Sequence, residues 1–185
     1  MIAAFSGATR PFQGARGLAQ AAMPLVGVAI LTASAKAQVP FWPVPMTLQT
    51  LAVLLLGVVY GPRTAAATVV AYLALGAAGA PVFAAGGGLA YLVGPTAGFL
   101  LGLPVAAFVV GTLLAKRPRL SLAGAFAVLF VGDAIIFGCG LAWLAHLFGA
   151  GKAIALGLEP FAAAELLKLA LGATLIRAAP RMRRA

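Results

Sequence analysis

The sequence is short of acid. Three of its 185 residues are Asp or Glu (Asp133, Glu159, Glu165), against 13 Lys or Arg, and charged residues together make up 9%. It holds one cysteine, Cys139, and one histidine, His146. A lone thiol excludes an intramolecular disulfide, and one thiol with one imidazole is too small a set of soft ligands for a metal site. Neither a metal nor another cofactor is expected. No Walker A sequence, H-E-x-x-H or G-x-S-x-G occurs, so ATP hydrolysis and the familiar intramembrane hydrolases lack support. Gly86-Gly87-Gly88 is followed by no GK[ST] and has no basic residue nearby, so it is not a phosphate cradle. Only Asp133, Glu165, Lys168 and His146 remain for acid–base work within apolar sequence. The reading is of a protein that is not an enzyme.

What the chain has instead is apolar length. It is 63% hydrophobic, with a mean hydropathy of +1.09. No soluble domain of this size could bury so much apolar surface, so the chain reads as an integral membrane protein. Its apolar stretches are long and continuous, unlike the alternating segments of about ten residues in a barrel. The formal net charge of +10 might suggest nucleic acid. The basic residues fall between apolar runs and form no amphipathic patch, so topology explains them better and no nucleic-acid partner is expected.

Taken in order, residues 1–17 form a short lead with Arg10 and Arg16. Six apolar spans follow, at about 18–35, 46–60, 64–79, 97–115, 121–148 and 160–177, in one domain of 185 residues. The first contains Pro24, which a membrane helix tolerates. Ala35-Lys36-Ala37 also fits a signal-cleavage site, but the stretch before it is long for such a region. Ala29 and Ala33 make a small-xxx-small pair that lets another helix approach closely. Residues 38–45 hold three prolines and cannot be helix, while Phe41 and Trp42 suit a membrane interface. Residues 80–96 carry Pro81, three successive glycines, Gly94 and Pro95, with no charge; this reads as a re-entrant or cap-like loop over a cavity.

The basic residues orient these spans. With the N-terminus cytoplasmic, Arg10, Arg16, Arg63, Lys116, Arg117, Arg119, Arg177, Arg181, Arg183 and Arg184 lie inside, and only Lys36 and Lys152 outside. Both termini are then cytoplasmic, and the loops 38–45 and 80–96 share the outer face with the segment before Pro160.

The chain is organised around Glu165-Leu166-Leu167-Lys168, two opposite charges on one helix face. Each ionisable group at membrane depth costs about 2.5–3.5 kcal/mol, so such groups usually line a polar cavity. At 1.5 Å per residue Glu165 lies about 7.5 Å, and Lys168 about 12 Å, beyond Pro160, beneath the outer loops. Glu165 can accept N–H bonds, and Lys168 can donate to a carbonyl or carboxylate. Thr47, Gln49, Tyr91 and Thr96 offer further polar contacts, and Phe41, Trp42, Phe83 and Phe99 apolar walls. A small-molecule pocket opening outward fits this set. A proton-coupled carrier with Asp133 or Glu165 titrating is the alternative, although no inverted repeat is visible and the chain is small for one.

The run from Val44 to Gly57 (VPMTLQTLAVLLLG) resembles a signature of the BioY family, the biotin-specific substrate-capture (S) subunits of energy-coupling-factor (ECF) transporters. So do Gly61-Pro62-Arg63, residues 76–83 (GAAGAPVF) through the glycine triplet, and residues 94–98 (GPTAG). The resemblance runs from about Gln38 to Lys168. It implies a six-helix membrane domain holding biotin near the outer face, with Glu165, Lys168, Gln49, Thr47, Tyr91, Gly87 and Phe83 as substrate-binding residues. It further implies a cytoplasmic-membrane location, and a face with Ala29 and Ala33 that meets a transmembrane coupling (T) subunit driven by ATPase (A) subunits. Family members usually carry Gly-Asp-x-x-Lys in the last helix; here Ala164-Glu165-Leu166-Leu167-Lys168 keeps the charges and their spacing with a longer acid.

Overall fold

The computed structural model describes residues 12–116 and 120–178, with side chains from residue 22 onward. The segment 1–11, with Arg10, the turn residues Arg117 and Arg119, and the closing Arg181, Arg183 and Arg184 lie outside the described residues. Seven α-helices are present among the described residues: α1 Phe12–Lys36, α2 Gln49–Tyr60, α3 Pro62–Ala77, α4 Ala97–Ala115, α5 Leu122–Phe148, α6 Ala150–Gly157 and α7 Ala162–Ala178. By length and composition, α4 and α5 are each apolar enough to cross a membrane, with mean hydropathies of 2.2 and 2.1 over their best windows.

The bundle is built around α4, which packs against α2, α3 and α5; α1 lies on α3, and α7 on α5 and α2. Small residues make these approaches close. A Cβ on Gly102 of α4 would sit 2.9 Å from the Ile136 Cα of α5, and one on Gly111 would sit 2.9 Å from the Gly57 carbonyl oxygen of α2. With no side chain between them, backbones touch and van der Waals contact replaces the hydrophobic drive that lipid cannot supply. Leu54, Val110, Leu129 and Leu169 fill the interior between the helices.

The connections are tighter than the sequence suggests. Gln38–Val39 (β1) pairs antiparallel with Met46–Thr47 (β2), in register Gln38↔Thr47 and Val39↔Met46. The proline segment is thus a small hairpin, and its second strand takes the residues expected to start the second span. The Leu48 amide bonds Ala37 O at 3.2 Å, so helix begins only at Gln49. Gly61, with φ 75°, is the single residue between α2 and α3 and allows Pro62 to open α3 at N1, where its missing N–H costs nothing. Residues 149–159, between the fifth and sixth expected spans, contain α6. Its Ala153 and Gly157, one turn apart, are buried, and the helix packs on α5.

Candidate binding site

Two loops and four helix ends meet at one end of the bundle. The Ala80–Thr96 loop turns back on itself: Phe83 and Gly86 exchange backbone bonds of 2.9 and 3.3 Å, and Gly88 N–H reaches Gly76 O at 2.7 Å. A 3-10 turn, Leu89–Val93, follows. Phe83 points inward, 1% exposed. Its ring lies edge-on to Tyr72 at 5.5 Å and tilted over Tyr91 at 4.9 Å. It occupies the space where Gly76 has no side chain. The loop is fastened at several points. Tyr72 Oη donates to Val82 O at 3.0 Å, Lys36 Nζ to Phe83 O at 2.7 Å, Gln38 Nε2 to Ala84 O at 3.2 Å and Trp143 Nε1 to Gly94 O at 2.9 Å.

Beneath the loops lies a recess of about 570 Å³, a volume that includes its open mouth. Its apolar walls come from Phe83 and Tyr91 on the loop, Phe99 and Leu103 on α4, Phe137 on α5, and Phe161 before α7. Phe137 stands edge-on between Phe99 at 5.5 Å and Phe161 at 6.2 Å. The polar lining is Thr47, Gln49, Thr50, Thr96 and Glu165. Above it, a shallower vestibule is formed by the proline hairpin and the glycine loop; it includes Gln38, Phe41 and Gly87 and shares Pro45, Tyr91 and Thr96 with the recess.

The charged pair sits at the polar edge. Glu165 and Lys168 are 6% and 8% exposed, and Lys168 Nζ bonds Glu165 Oε1 at 2.6 Å. Lys168 also donates to Thr47 O at 2.7 Å and to Thr50 Oγ1 at 3.3 Å. The Thr50 hydroxyl in turn donates to Glu165 Oε2 at 2.9 Å. The three donors of the ammonium are therefore all taken by the chain. Each carboxylate oxygen has one partner and retains lone-pair capacity toward the recess. Gln49, 7% exposed, has an Nε2 with no partner among the described residues. An unpaired buried amide at a cavity wall is costly unless something else bonds it.

Of the residues singled out in the sequence, Glu165, Gln49, Thr47, Tyr91 and Phe83 line one recess. Lys168 stands behind Glu165 and Gly87 lines the vestibule. Trp42 is 80% exposed and lines neither. Ala29 and Ala33 share an exposed face of α1, remote from the recess lining. Thr50, Phe137 and Phe161 are recess residues that sequence reasoning passed over. Thr50 follows Gln49 directly, and Phe161 lies one helical turn before Glu165 on the same face, so the spacing held a signal for both. Asp133 on α5 is buried, its Oδ1 without a partner among the described residues, but it does not line the recess.

Residues 8–185 match the BioY family. The chain belongs to the BioY family. Its relatives include the probable biotin transporter BioY of Pyrococcus horikoshii, 36% identical over 77% of this chain and 85% of the relative. The biotin transporter BioY of Thermotoga maritima is 38% identical over 78% and 86%, and biotin transporter BioY2 of Lactococcus lactis 37% identical over 83% and 87%. The chain also shares its fold with the crystal structure of the S-component for biotin from an ECF-type ABC transporter, with a TM-score of 0.80 at 21% identity. That match covers 94% of this BioY-family chain and 95% of the other.

Proposed function

We propose that this BioY-family protein captures biotin for uptake, as the S subunit of an ECF-type transporter. The observation that carries the proposal is the Glu165–Thr50–Lys168 cluster at the edge of an aromatic recess. Biotin offers two ureido N–H donors and a carbonyl, an apolar bicycle and an apolar chain. Glu165, which retains acceptor capacity, suits the N–H groups; Gln49, with its unpaired amide, suits the carbonyl; Phe83, Tyr91, Phe99, Phe137 and Phe161 suit the ring. Lys168 acts by holding Glu165 in place. Thr47 contributes its hydroxyl at the recess and its carbonyl to Lys168, and Gly87 keeps the lid backbone close over the mouth. No bound cofactor is required.

In this reading α1, α2, α3, α4, α5 and α7 are the six spans, α6 lies at the outer surface, and both termini face the cytoplasm across the cytoplasmic membrane. The chain brings no ATPase of its own, so energy comes from ATPase subunits through a coupling subunit. The exposed Ala29 and Ala33 face of α1 is its docking place, because small side chains let a partner helix approach closely.

Calorimetry on the detergent-purified chain with biotin, thiamine and riboflavin tests the ligand. Saturable heat with biotin alone is expected. Heat with one of the others, or none with biotin, would favour the proton-coupled carrier of another solute.

A further inference from the structure

The charges around the recess are arranged for one end of the ligand only. Among its lining residues the single ionised group is Glu165, an acid. The one cation near it, Lys168, spends its three N–H groups on Glu165 Oε1, Thr47 O and Thr50 Oγ1. The vestibule lining holds no charged residue at all. Of the other cations at this end of the described chain, Lys36 bonds Phe83 O, and neither it nor Lys152 on α6 belongs to either lining.

A ligand anion therefore meets a carboxylate at the polar edge and, among the described residues, no free cation in the lining. Like charges brought together in a low-dielectric site repel, so the anionic end of the ligand is turned away from Glu165. The polar edge accepts N–H donors, and the remaining way out passes Pro45, Tyr91 and Thr96, the residues that recess and vestibule share. Along that path the side chain of the ligand crosses apolar wall, and its end reaches the vestibule, where water solvates it.

We infer that the site selects the cyclic urea and its fused ring, not the carboxylate, and that it takes biotin derivatives whose side chain ends in a neutral ester or amide as well as it takes the free acid. The inference rests on the biotin reading above and extends its substrate class to the biotin amides left when biotinylated proteins are degraded.

The test is displacement of radiolabelled biotin from the purified full-length chain by unlabelled biotin, biotin methyl ester, biotinamide and ε-biotinyl-lysine. The ester and primary amide add at most one heavy atom, so they report charge and not bulk. Both are expected to displace within tenfold of biotin itself. Losing an ion pair to a buried cation costs about thirtyfold or more, so a loss above tenfold for both small derivatives overturns the inference and leaves the biotin reading standing. Failure of unlabelled biotin to compete, or of labelled biotin to bind, overturns both. Displacement by ε-biotinyl-lysine within tenfold carries the class through to large amides; exclusion of it alone, with ester and amide bound, restricts the class to short neutral tails and overturns its extension to protein-derived amides.

Discussion

Lys168 is held by three acceptors and Glu165 by two donors, with Thr50 serving as both. Removing any one member leaves the others unpaired in a low-dielectric place. Lys168→Ala leaves Glu165 buried without its counter-charge. Biotin affinity is expected to fall at least about thirtyfold, the lower end of the 2–5 kcal/mol typical of truncating one partner of a buried charged pair. Dissociation constants measured on folded, monodisperse variant decide this, and wild-type affinity would remove the pair from the site. Glu165→Asp restores the acid usual in the family and is expected to keep most of the binding, whereas Glu165→Gln, which cannot hold the ammonium, is not. Thr50→Val keeps the side-chain shape but removes a hydrogen bond to a carboxylate, worth about 1.5–3 kcal/mol. Binding should drop about tenfold, with Thr50→Ser recovering it; equal binding by all three would mean that the hydroxyl has no part in shaping Glu165.

At the scale of elements, α1 divides its faces. Leu31 and Ala35 are buried against the bundle, while Ala29 and Ala33 are exposed. Ala29→Leu or Ala33→Leu should therefore leave biotin affinity unchanged and reduce co-purification with a coupling subunit, because added bulk holds a partner helix away. Parallel loss of both properties would place this face inside the bundle. The α4–α5 contact is different: Gly102 lies against the Ile136 backbone, so Gly102→Val forces the helices apart and should cost about 1–3 kcal/mol of stability, read as a lowered midpoint in thermal unfolding. The loop 80–96 covers the recess and is fastened by Lys36, Gln38, Tyr72 and Trp143. Such a lid must loosen for ligand to pass, and hydrogen exchange over 80–96 should slow when biotin is bound. The same exchange with and without biotin would mark it as a fixed plug.

For the whole molecule, the prediction is uptake. Cells expressing the chain with T and A subunits should accumulate biotin, and the comparison with cells expressing the chain alone measures how far uptake depends on those partners. Orientation is testable through the single cysteine. With Cys139 replaced by serine, a cysteine at Gly151 should react with an impermeant maleimide applied from outside, and one at Lys116 should not. The reverse pattern would invert the topology.

Membrane residence, helical class, the proline and glycine loops and the Glu165–Lys168 pair were all legible in sequence, because each depends on local composition or on spacing within one helix. The α2 start at Gln49 was not, since it depends on β1 pairing with β2 across the hairpin and on Ala37 O taking the Leu48 amide. Nor was α6, whose helix is supported by packing on α5. The site divides in the same way. Spacing put Glu165 and Lys168 on one face, and polar side chains at the outer end of the second span pointed to Gln49 and Thr47. Only the folded bundle brought Thr50, 115 residues from Glu165 in sequence, into the cluster. It likewise set Phe137 and Phe161 opposite Phe83 and turned Lys168 from an available donor into a satisfied one. Sequence fixes what each helix face carries, but which faces meet is decided by close packing between helices, and that is a property of the whole chain.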